Sequence, residues 1–182
     1  GINLAGLVGH CAVRFYVMGD RAVEEQATDD ERRTMARIVG EAVDRGAMGF
    51  STNRLPAHKL PDGRVIPGTY AEHGELVEIA RAVGPRGALM QAVGADFEVL
   101  KAMADDGGAR VLFSYNTEST GSDGRARRRA LEDFAAGRDV TGLAQVRSSG
   151  LVIGLQSGLP IANRGSEWKK LRALPFEGRL AA

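Results

Sequence analysis

Only one cysteine, Cys11, occurs among the 182 residues of the chain. A lone thiol forms no internal disulfide and belongs to no cysteine cluster able to hold a structural zinc, so a reducing cytoplasm is the expected setting. Aromatic side chains are scarce at 5%, too few and too scattered for a base-stacking platform. An excess of either charge is also missing: 24 Lys and Arg face 23 Asp and Glu, a formal net charge of +1. That balance argues against a protein that coats nucleic acid or an anionic membrane surface. No apolar run approaches the ~18 residues that span a bilayer. The first residues do not resemble a secretory leader. What the chain has in quantity is glycine, 24 residues with only 6 prolines, against a usual glycine share of roughly 7%. This points to many tight connections between elements. A hydrophobic fraction of 43% and a charged fraction of 26% fit one globular domain. The apolar opening Gly1-Ile2-Asn3-Leu4 and a close inside a helix-like stretch suggest an internal piece of a longer protein.

Apolar spacing predicts strands and helices in alternation. Ile2 to Val8 reads as a buried strand. Thr28-Asp29-Asp30-Glu31 is a capping box, followed by an apolar stripe of Met35, Ile38, Val39, Ala42 and Val43 that should face the sheet. Gly46 suits a left-handed cap, and Ala47 to Ser51 is the next strand. Three prolines (Pro56, Pro61, Pro67) and Asp62-Gly63 make residues 52–68 a long loop. A second capping box is expected at Thr69-x-x-Glu72, opening a helix with Leu76, Ile79, Ala80 and Val83 inward and closed by Gly84-Pro85. Ala88 to Val93 is a strand, and Asp96 caps a helix that Gly107-Gly108 ends. Ala109 to Ser114 is a strand, then a helix from Ser122 or Asp123 places Ala130, Leu131 and Phe134 inward. Val140 to Val146 and Leu151 to Leu155 are further strand-like runs, and a short helix from Ser166 stops at Pro175. Alternation of this kind means βα units and a parallel sheet, an α/β fold.

In such folds the site lies beyond the carboxyl ends of the strands. That rule selects His10, Ser51 to Asn53, Gln91, Ser114 to Asn116, Gln145 and Gln156-Ser157. Neighbouring strand residues face opposite ways, so His10 and Cys11 should not grip one ion; His10 reads as a pocket or hydrogen-bonding histidine and Cys11 as a buried apolar residue. His58, in the long loop, reads first as an exposed loop histidine and is also a candidate lid residue touching substrate, whereas His73 in a first helical turn reads as surface. The basic run at Arg125, Arg127, Arg128 and Arg129 reads as a solvated face, because Arg128–Glu132 and Arg129–Asp133 are ion-pair spacings. No phosphate-binding glycine loop and no serine-nucleophile elbow is present.

Leu7-Val8-Gly9-His10 followed by Arg14, then Gly46-Ala47-Met48-Gly49-Phe50-Ser51-Thr52, resembles the amidohydrolase superfamily, in particular its D-aminoacylase (N-acyl-D-amino-acid deacylase) branch. The resemblance continues through Glu75-Leu76, Gly154-Leu155-Gln156-Ser157, Trp168, Leu171 and Leu174-Pro175. It implies a metal-dependent (β/α)₈ TIM-like barrel, of which residues 1–182 would be the central part of one domain, with the N- and C-terminal strands missing. It implies hydrolysis of a non-peptide amide in a small-molecule substrate, with zinc held mainly by ligands outside this chain. Where the family carries a Ser-His-x-Arg context, the matching strand reads Leu89-Met90-Gln91-Ala92-Val93, and no histidine stands near Ser114-Tyr115-Asn116. The resemblance therefore implies a reduced metal site here, with a catalytically inactive or binding-only relative as the alternative. The pocket candidates are His10, Ser51, His58, Gln91, Ser114 and Tyr115.

Overall fold

A computed structural model describes residues 1–115, 122–144, 170, 171 and 173–181. Five strands form one sheet in the order β1-β2-β3-β4-β5, every pairing parallel. They are β1 Leu7–Gly9, β2 Gly49–Asn53, β3 Leu89–Val93, β4 Arg110–Tyr115 and β5 Val140–Ala144. The helices are α1 His10–Met18, α2 Asp29–Asp44, α3 His73–Val83, α4 Phe97–Lys101, α5 Ser122–Ala135 and α6 Phe176–Ala181. Sequential parallel neighbours joined by helical crossovers are the expected α/β arrangement.

Strand parity divides the sheet into two faces. Phe50 and Thr52, Met90 and Ala92, and Val111 and Phe113 are all buried. The apolar ones meet Met35 and Val39 of α2 and Leu76, Ile79 and Val83 of α3 in the main core. The alternate residues, Ser51 and Asn53, Gln91 and Val93, Leu112 and Ser114, are half-buried or exposed. They occupy the face turned away from the helices, which is the interior in a closed barrel. Register aligns Ser51 with Gln91, Gln91 with Leu112 and Leu112 with Thr141 as one layer across that face.

The first capping box forms as expected: Glu31 N–H donates to Thr28 Oγ1 at 3.3 Å and Thr28 N–H to the Glu31 carboxylate at 2.8 Å. Met35 and Val39 are fully buried, with Ile38 and Val43 packed at the core's margin. Gly46 takes φ +102 just beyond the helix end, a conformation that disfavours any Cβ. Asp96 caps α4 by accepting from Val99 N–H at 2.9 Å.

Several expectations are corrected. The first strand is only Leu7–Gly9, and Ile2 and Leu4 are exposed. Thr69 is not a helix cap; it is buried and donates to Ile66 O at 3.0 Å, while α3 starts at His73 behind Glu72 with no side-chain cap. Three residues, Tyr70, the buried Ala71 and Glu72, thus separate that threonine from the first helical turn. Ala130 is exposed, so only Leu131 and Phe134 of its trio turn inward, Phe134 stacking on Phe97 at 5.1 Å. Arg128 pairs with Glu132 at 2.9 Å, but the Arg129–Asp133 pair does not form. The run Leu151 to Leu155, the start of the helix from Ser166, and Asn116, Gln145, Gln156, Ser157 and Trp168 lie outside the described residues, whereas Lys170, Leu171 and Ala173 are helical and the helix has ended by Pro175.

Candidate functional site

His10 is the first residue of α1 and not a strand residue, which places Cys11 one step round a helix and only partly buried. Parity still governs the histidine. Val8 pairs with Phe50 and Gly9 with Ser51, so the next residue, His10, falls opposite Thr52 on the helix-facing side of the sheet. Its Nδ1 lies 2.8 Å from Thr52 Oγ1 and its Nε2 2.5 Å from Glu75 Oε1, and its ring tilts against Phe50 at 5.2 Å. Arg14, one helical turn further along α1, donates to the other oxygen of Glu75, to Ala22 O at 3.0 Å and to Glu25 O. The four side chains are sealed, with exposures of 2% for His10 and Arg14, 1% for Thr52 and 0% for Glu75.

The protons in this cluster follow from chemistry. A carboxylate only accepts, so His10 Nε2 carries the hydrogen and Nδ1 accepts from the Thr52 hydroxyl. Burial lowers the His10 pKa from 6.5, against the opposing pull of Glu75. For Glu75 burial works upward from 4.5, but the hydrogen bonds and charges of His10 and Arg14 outweigh it and the net direction is down. The cluster therefore holds one buried anion and one buried cation around a neutral imidazole. Hydroxyl, imidazole and carboxylate stand in the order used by hydrolytic triads. No substrate reaches a threonine that is 1% exposed, so the chain of bonds is a structural hub. It joins α1, β2, α3 and the turn at residues 19–25.

The loop between β2 and α3 is tied to this hub. Gly68 has φ +89, and a Cβ there would come within 2.5 Å of His10 Nδ1. Arg54 holds the same stretch by donating to Ala71 O at 2.6 Å and Gly68 O at 3.3 Å. Lys59 and Val65 form an antiparallel bridge, so the loop folds back on itself as a short hairpin about Asp62-Gly63.

The remaining candidates separate from His10. Ser51 and Gln91 meet on the opposite face of the sheet, the serine hydroxyl donating to Gln91 Oε1. His58 reaches back to the end of β2, its Nδ1 2.6 Å from Asn53 Nδ2. Ser114 is exposed on that same face, and Tyr115 ends β4, its side chain lying outside what is described. The sequence thus assembled two groups as one: a sealed hub around His10 and a polar rim of Ser51, Asn53, His58 and Gln91. Glu75 was missed as a site residue. Its signal was a carboxylate inside the buried stripe shared with Leu76 and Ile79, since a buried acid needs a partner.

A zinc centre does not fit these residues. Among the described residues no group of three His, Cys, Asp or Glu side chains is placed to hold a metal. Both nitrogens of His10 are spent on Thr52 and Glu75, and His73 sits on the exposed first turn of α3.

No protein-family model matches the chain. Over 88 residues it is 41% identical to the N-acyl-D-glutamate deacylase of Alcaligenes xylosoxydans xylosoxydans, a stretch that is 48% of this chain and 16% of that relative. Over 67 residues it is 39% identical to the N-acyl-D-aspartate deacylase of the same organism, covering 36% of this chain and 13% of that relative. The chain thus spans only a small part of the curated relatives it matches. Among solved structures, a D-aminoacylase mutant in complex with CuCl2 superposes with a TM-score of 0.61 at 22% identity, covering 79% of this chain and 30% of that one. By sequence about half of the chain is similar to two N-acyl-D-amino-acid deacylases, and its parallel βα run shares the fold of the matching part of a D-aminoacylase.

Proposed function

We propose that the protein carrying this segment is a metal-dependent amidohydrolase that removes the acyl group from an N-acyl-D-amino acid. Residues 1–182 then form the central part of its barrel domain. The observation that carries this reading is the 41% identity to N-acyl-D-glutamate deacylase over 88 residues. The reaction adds water across a C–N bond, releasing a carboxylic acid and a free amine. In this family zinc supplies the polarisation of the carbonyl. The described residues offer no ligand set for it, so their part is to shape the interior face and to hold the rim. No described helix is long and apolar enough to cross a membrane, and the lone cysteine supports a cytoplasmic setting.

The test uses the full-length protein with N-acetyl-D-glutamate, N-acetyl-D-aspartate and N-acetyl-L-glutamate, following release of the free amine. Hydrolysis of a D-substrate but not its L-counterpart, lost on chelation and restored by zinc, is expected. A zinc-loaded protein that leaves both D-substrates intact would overturn the reading and favour a binding-only relative.

A further inference from the structure

The rim on the interior face has a hydrogen-bond polarity that composition alone does not reveal. Leu55 N–H donates to Asn53 Oδ1 at 2.7 Å, which fixes the amide with its Nδ2 toward His58. That Nδ2 donates to His58 Nδ1 at 2.6 Å, so the ring nitrogen facing Asn53 is the acceptor and the proton sits on Nε2. One strand over, the Ser51 hydroxyl occupies Gln91 Oε1, leaving both hydrogens of Gln91 Nε2 to point elsewhere. Ser51 and Asn53 stand two residues apart on one strand, so the two groups lie roughly 7 Å apart along β2.

The internal bonds use the single lone pair of His58 Nδ1 and one of the two on each of Asn53 Oδ1 and Gln91 Oε1. The hydrogens without a bond are the His58 Nε2–H, the second hydrogen of Asn53 Nδ2 and the Gln91 amide hydrogens. None of these has a further partner among the described residues. No carboxylate belongs to the set, so nothing in it repels an anion.

We propose that Asn53, His58 and Gln91 form a neutral donor cradle that takes a carboxylate of the substrate. A carboxylate is acceptor-only, so every hydrogen these groups have free is one it can accept. The cradle rests on the deacylase reading for its substrate class. Its polarity depends on the orientation of Asn53, which makes that residue the positioning group and His58 and Gln91 the contacting ones.

Two substitutions in the full-length protein test this. Gln91→Glu keeps the side-chain shape and an acceptor for Ser51, but replaces donors by a negative charge. It should raise KM for N-acetyl-D-glutamate at least tenfold, with a smaller fall in kcat. Asn53→Asp turns the donor facing His58 into an acceptor, so the ring must move its proton to Nδ1. Side-chain ¹⁵N spectra of wild type should show the Nε2–H tautomer of His58 and those of Asn53→Asp the reverse, with KM again raised. If the wild-type protein does not hydrolyse N-acetyl-D-glutamate, its dissociation constant measured by calorimetry replaces KM. Binding that Gln91→Glu weakens then upholds the cradle while the deacylase reading falls. Hydrolysis with KM unchanged in Gln91→Glu overturns the cradle and leaves the deacylase reading standing. Absence of binding, or an Nδ1–H tautomer in the wild type, overturns the cradle outright.

Discussion

Thr52 and His10 face each other across the parallel register of β1 and β2, the hydroxyl giving its proton to Nδ1 at 2.8 Å. The neighbouring residue Ser51 points the opposite way, toward Gln91 on β3. One step along a strand separates the sealed hub from the open rim, because successive side chains leave opposite faces. The hub fixes the end of β2, and the end of β2 carries the rim.

Removing the anion of the hub should be costly. Glu75→Gln leaves the Arg14 guanidinium buried without its counter-charge, and turns an N–H group toward either His10 Nε2–H or Arg14. A loss of about 3–5 kcal/mol is expected, the usual cost of breaking a buried pair from one side. Urea denaturation of the full-length protein measures it. Glu75→Leu with Arg14→Met should cost less than the two single changes added together, since neither charge is then stranded. Additive losses would show that Glu75 and Arg14 are not energetically coupled.

The same hub sets a direction for pH. Burial depresses the folded-state pKa of His10 below 6.5, so on acidification the unfolded chain takes up the proton first. Stability from this residue is present above pH 6.5 and is lost as the pH falls toward the depressed value. Glu75 is also depressed, below 4.5, so its contribution is likewise lost in acid, at lower pH. Denaturation midpoints of the full-length protein should fall from pH 6.5 downward, and His10→Gln should flatten the part of the curve above pH 4.5. An equally steep curve in the variant would remove His10 as its source.

The two threonines read as helix caps give a paired test. Thr28→Ala removes a formed capping box and should cost about 1 kcal/mol. Thr69 caps nothing, so Thr69→Val should leave the helicity of α3 unchanged, its effect confined to the loop bond to Ile66 O. Circular dichroism and denaturant midpoints separate the two outcomes.

What was legible in the sequence is what local periodicity controls. The stripe from Met35 to Val43, the Thr28 box, the Asp96 cap and the strand at Leu89–Val93 depend on residues a few positions apart, and they stand as expected. The hub was not legible as a unit, because His10, Thr52 and Glu75 come from three segments separated by 42 and 65 positions. Assigning His10 to the rim followed from its place after a strand. Counting parity from Val8 would have turned it toward the helices. Ser51 and Gln91 could be named as rim residues, but that they stand level with each other across the sheet depends on the register of β2 and β3.

Metal content supplies the last test. The resemblance to deacylases implies zinc, yet among the described residues no three His, Cys, Asp or Glu side chains converge. His10 has no nitrogen left for a ligand bond, and freeing one would strand either Glu75 or Thr52 in the core. His58 offers Nε2 alone, and His73 stands apart on the first turn of α3. A structural or catalytic zinc needs three or four ligands from the protein. The isolated 182-residue chain should therefore retain far less than one zinc per molecule after gel filtration, read by atomic absorption. The full-length protein should retain stoichiometric zinc, and Gln91→Ala in that protein should lower turnover without lowering the zinc content. Tight, stoichiometric zinc in the isolated chain would place ligands on strands where none has been assigned. Loss of zinc from the Gln91→Ala protein would make that carboxamide part of the metal's surroundings and not of the substrate's.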